Sequence, residues 1–92
     1  MTRLRLLISG RVQGVGFRAY VAREGLSRGL SGWVRNLRDG RVETEFVGPR
    51  AVVEDMQGAC RRGPYGSHVT LVETAPAGLD SLPATFDVRR DG

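Results

Sequence analysis

Between Gly10 and Arg18 the chain reads GRVQGVGFR, and Asn36 stands eighteen residues beyond Arg18. Three glycines in seven residues close an apolar, strand-like segment, and a helix-like segment carrying an arginine follows at once. A turn of that composition aims several backbone N–H groups into one small concavity. It does so at a helix N-terminus, where the macrodipole also favours negative charge. Arg18 contributes a permanent charge and a planar fork of donors that matches phosphate. These residues point to a site for a small phosphorylated anion.

The rest of the chemical inventory is thin. His68 is the only histidine and lies far along the chain, just before a later strand. Cys60, the only cysteine, falls on the apolar side of a helix and reads as core. Ser9 has no evident base partner, and no His, Cys, Asp and Glu cluster has metal-ligand spacing. An anion cradle with one arginine and one asparagine, but no general base, suits a reaction whose leaving group departs unprotonated. Hydrolysis of a mixed carboxylic–phosphoric anhydride is such a reaction, because it expels a stable carboxylate. Orientation and electrostatic stabilisation of the phosphoryl oxygens then supply most of the catalysis.

The elements needed to position these groups follow from periodicity. Leu4, Leu6 and Ile8 alternate with Arg5, Leu7 and Ser9, as in a half-buried strand. Phe17, Tyr20 and Val21 keep helical spacing up to Gly29, a C′ glycine. Gly32 to Asn36 reads as a second strand, Asp39-Gly40 as a hairpin turn, and Val42, Thr44 and Phe46 as one face of a third strand. Gly48-Pro49 opens a second helix carrying Val52, Val53, Met56 and Cys60, and Gly63-Pro64 closes it. Val69 to Glu73 makes a fourth strand. A short fifth is expected from Thr85 to Arg89, with Phe86 and Val88 on one side. The order β-α-β-β-α-β is that of the ferredoxin-like split βαβ sandwich: an antiparallel sheet of four or five strands, two helices on one face and water on the other.

At 92 residues the chain is expected to form one domain, residues 1–92, and to act as a free-standing enzyme. A single cysteine allows no internal disulfide and suggests a cytoplasmic setting. The run Leu6-Leu7-Ile8 is too short for a signal-peptide core, and nothing approaches a membrane span. The net charge is +4, and all fourteen basic residues are arginine. They are interleaved with ten carboxylates rather than gathered into one basic segment.

Both glycine-containing motifs resemble the signatures of the acylphosphatase family. Gly10 to Arg18 matches its first signature throughout. Gly32, Trp33, Val34, Asn36, Gly40, Val42 and Gly48 match its second. Weaker similarity extends over Gly29-Leu30, Gly63-Pro64, Val69, Val72 and Phe86. The resemblance implies metal-independent hydrolysis of acyl phosphates to carboxylate and inorganic phosphate, with no cofactor. It implies that Arg18 holds the phosphate, that the loop of Gln13, Gly14, Val15, Gly16, Phe17 and Arg18 completes the cradle through its amides, and that Asn36 orients the attacking water. The substrate's own phosphate would accept the water's proton, and inorganic phosphate would inhibit as product. A monomer without membrane or nucleic-acid partner is expected. The chain departs from the family pattern at Gly25, Arg28, Gln57 and Ser67, where a small apolar residue, leucine, an apolar residue and alanine are usual. Gly25 within a helix carries a cost of roughly 1 kcal/mol relative to alanine.

Two rival readings stand beside this one. The N-terminal domain of hydrogenase-maturation carbamoyltransferases carries a similar first signature and acts on carbamoyl phosphate. An RNA-recognition module uses a similar element order but needs aromatics on the sheet's open face. Here Phe17 and Tyr20 are predicted on a helix, which leaves only Phe46 on the third strand.

Overall fold

Apolar residues fall mostly at alternate positions along the first three strand segments, which gives each of them one side for the core. In the computed structural model, which describes residues 1–92, those segments are β1 (Thr2–Arg11), β2 (Ser31–Asn36) and β3 (Val42–Gly48). They join α1 (Phe17–Ser27), α2 (Arg50–Arg62), β4 (His68–Ala75) and β5 (Asp87–Val88) in a five-stranded sheet of order β4-β1-β3-β2-β5. Leu6, Ile8, Val34, Val42 and Phe46 form the covered face. Onto them pack Phe17 and Val21 from α1, and Val53, Met56 and Cys60 from α2. The arrangement is the expected ferredoxin-like α+β fold. The end of α1 carries both bonds of a Schellman motif, Gly29 N–H to Leu26 O and Leu30 N–H to Gly25 O, as the C′ glycine predicts.

Three expectations need correction. The sheet is mixed, because β5 runs parallel to β2 with Val34 opposite Val88. The last strand is only Asp87–Val88, since Phe86 adopts a positive φ of 52° and takes its ring out of the strand into the core. The face away from the helices is not simply wetted. Glu43 and Glu45, on the odd side of β3, are buried there. Arg5 and Arg35 both bind the Glu43 carboxylate, and Arg3 binds Glu45. Gly78 donates its N–H to Glu45 Oε2 at 2.8 Å, and Arg3 reaches the Asp80 carbonyl, so the segment after β4 is fastened across that face.

Phe86 also accounts for Gly25. A methyl group on Gly25 or on Gly32 would intrude into the Phe86 ring, so the helix is glycine there because an aromatic side chain lies on its backbone. Local helix propensity loses to close packing at this point. Arg28 is held by Glu24 and Asp55 beside the end of α1, and Ser67 donates to the Pro64 carbonyl at 2.6 Å in the turn before β4.

Candidate active site

Two apolar anchors, Val12 and Phe17, are each about fully buried and pin both ends of the glycine loop to the core. Between them Gly14 and Gly16 both take φ of +75°, a left-handed conformation that side chains rarely tolerate. Nothing crowds a Cβ at either position, so backbone conformation rather than space demands glycine. Helix α1 then starts at Phe17 with no side-chain cap and no acidic residue in its first turn. In consequence none of the backbone N–H groups from Gln13 to Ala19 donates a hydrogen bond to another part of the chain. Backbone donors are normally paired, so this run of unpartnered N–H groups at a helix N-terminus is the kind of arrangement that suits an anion.

A cavity of about 260 Å³ opens on this loop, lined by Val12, Gly14, Gly16, Phe17, Arg18, Ala19, Asn36 and Val88. Arg18 and Asn36, separated in sequence, line this one cavity because α1 packs against β2. Arg18 Nη1 donates to the Arg89 carbonyl at 3.2 Å and to Asp91 Oδ1 at 3.1 Å. Its Nε and Nη2 remain available. The Asn36 carboxamide makes no hydrogen bond within the chain, while its backbone carbonyl accepts one from Gly92 N–H at 2.8 Å. Of the expected loop residues, Val15 packs partly against the core, and the Gln13 side chain turns to the β2–β3 hairpin.

The expected fifth strand lies at the cavity, a place the sequence does not give it. Val88 lines the cavity, and Arg89, Asp91 and Gly92 hold Arg18 and Asn36, because β5 adds alongside β2. The sequence marks a short strand here but not its neighbour, since parallel pairing with β2 leaves no local pattern. The other candidate nucleophile is inert. Burial pushes the Cys60 thiol up to about 12, so it stays protonated within the core. His68 is exposed at the start of β4. Trp33, on the open face, is only 7 % exposed, with the Arg35 and Arg89 guanidinium groups over its ring.

The fold and the loop together define an α+β protein with a run of unpartnered main-chain N–H groups beside an arginine. Known proteins narrow that class. The family model described as Acylphosphatase matches residues 4–88. An acylphosphatase of Rhodopseudomonas palustris (strain BisB18) is 44% identical over 88 residues, covering 96% of this chain and 85% of its own. One from Azorhizobium caulinodans is 55% identical over 74 residues, 80% of each chain. The crystal structure of acylphosphatase from Bacillus subtilis overlays with a TM-score of 0.89 at 37% identity, covering 97% of this chain and 99% of that one. A stretch amounting to 12% of full-length HypF overlays with a TM-score of 0.80 at 22% identity, a likeness of fold alone. The chain belongs to the acylphosphatase family and is an enzyme of that type.

Proposed function

We propose that Arg18 and the main-chain N–H groups of the Gln13–Arg18 loop hold the phosphoryl group of an acyl phosphate while the Asn36 carboxamide aligns a water molecule for attack. The observation that carries this reading is the run of uncommitted N–H groups that shares one cavity with Arg18 and Asn36. Three phosphoryl oxygens carry the charge of the transition state, and preorganised donors stabilise it without reorganisation. The water oxygen bonds to phosphorus as the bond to the acyl oxygen breaks. The carboxylate leaves with the electron pair, and the water's proton passes to a phosphoryl oxygen. No side-chain base is required, in keeping with a cavity lined by no carboxylate or imidazole. The reading takes residues 1–92 as one domain and the protein as a cytoplasmic monomer that uses no metal and binds no nucleic acid. No helix is long and apolar enough to cross a membrane.

Hydrolysis of benzoyl phosphate in the presence of a chelator tests the proposal, with carbamoyl phosphate compared in the same assay. Phosphate should inhibit competitively. Asn36→Ala should lower kcat by about 10²-fold, the order of a lost preorganised donor, and leave phosphate inhibition intact. Full turnover in that variant would remove Asn36 from the mechanism. A salt-dependent RNA-binding assay should show no complex.

A further inference from the structure

Gln13 has a second attachment besides its main chain. Its Nε2 donates to the Leu37 carbonyl at 2.8 Å and to the Arg41 carbonyl at 2.9 Å. Those are the carbonyls that close the β2–β3 turn, where Leu37 N–H bonds to Arg41 O at 2.8 Å and Gly40 N–H to Leu37 O at 3.2 Å. A primary amide has two N–H groups to give, and two carbonyls receive them. Leu37 directly follows Asn36, and Gln13 stands between Val12 and Gly14, which both line the cavity. One side chain therefore bolts the anion-binding loop to the strand end that presents Asn36. Pairing of Asn36 with Val42 and of Leu37 with Arg41 joins the end of β2 to β3 but not to the loop; the Gln13 amide is the side-chain contact that ties this turn to the loop.

We infer that Gln13 is a positioning residue, which fixes the Asn36 carboxamide relative to the bound phosphoryl group so that the water approaches in line. The inference rests on the roles given above to Arg18 and Asn36. It differs from them in its consequence. Loss of the Gln13 side chain should leave the cradle able to bind, because Val12 and Phe17 anchor the loop independently, but it should misplace the water.

The test uses Gln13→Met, which keeps length and removes the donors, with Gln13→Ala as a second variant. Amide hydrogen exchange at Leu37 and Gly40 should quicken by about tenfold, while β4 amides keep their rates. With benzoyl phosphate, kcat should fall roughly 10- to 100-fold, the scale of a misplacement near 1 Å, and the inhibition constant for phosphate should move less than about twofold. In an Asn36→Ala background the same substitution should cost no further kcat, since the group it positions is gone. Unchanged kcat in Gln13→Met, unchanged exchange at Leu37 and Gly40, or an equal kcat loss in the Asn36→Ala background would overturn the inference. Inactivity of the unmodified protein would instead overturn the reading of the site itself.

Discussion

On the open face of the sheet Arg5 and Arg35 converge on one carboxylate, Glu43, that is 2 % exposed; at the cavity the one carboxylate paired with Arg18 is Asp91, which is 63 % exposed. The three arginines are alike in exposure, at 33 %, 35 % and 35 %. What separates them is the partner. Burial raises the cost of a charged Glu43, yet hydrogen bonds from Arg5 and Arg35 more than offset it and hold the carboxyl below its ordinary range. Removing the two arginines leaves a desolvated carboxylate without compensation. An exposed pair such as Arg18–Asp91 is worth little on its own, so the Arg18 guanidinium can be given over to a phosphoryl oxygen at small expense. Among these three arginines, the depth of the opposing carboxylate separates the two that brace the sheet from the one at the cavity.

The sharpest way to break this contrast is to exchange the two kinds of damage. Arg18→Ala should weaken binding of phosphate and substrate by about 1.5–3 kcal/mol for each charge-assisted bond lost, with little change in Tm. Inhibition by phosphate and thermal unfolding, measured on one preparation, would show whether the loss is confined to binding. Glu43→Ala should do the reverse: a loss of about 1.5–3 kcal/mol of stability, with KM for benzoyl phosphate nearly unchanged. A comparable shift in KM would mean that the open face and the cavity are mechanically one unit.

Acid sharpens the same comparison. Glu43 has its folded-state pKa held below the unfolded value. Its contribution is therefore complete above the ordinary glutamate range and is lost as pH falls through the lowered value. Urea midpoints taken from neutral pH toward about pH 3 should decline, and Glu43→Gln should flatten that part of the curve. The smallest effect is expected from Asp91→Asn. It should alter stability by less than about 1 kcal/mol, and the inhibition constant for phosphate should fall slightly as a competing anion is removed.

Much of the site was readable before any coordinates. The loop glycines announce a turn with positive φ, Arg18 a guanidinium of the kind that fits phosphate, and Asn36 a polar group at a strand end. Each of these depends on residues close in sequence, so local chemistry suffices. Gly25 shows the opposite case. By helix propensity it is a defect, but the Phe86 ring lies on its backbone from sixty-one residues away. The buried Glu43 and Glu45 read as ordinary solvent-side residues of an alternating strand. Only register puts Arg5 opposite Glu45 and diagonal to the Glu43 it binds, and Arg3 diagonal to Glu45, and only the segment after β4 closes over them.

By itself the sequence determined the alternation that makes the strands, the stops at Gly29 and Gly63-Pro64, and a glycine turn that leaves main-chain donors at a helix N-terminus. These are properties of period, φ preference and hydrogen-bonding capacity within a few residues. The tertiary structure alone decided that β5 lies parallel to β2, that Asp91 and Gly92 hold the two residues of the site, and that Gln13 reaches the turn beyond Asn36. Contacts between distant segments depend on how whole elements stack, and no local pattern encodes the outcome of that packing.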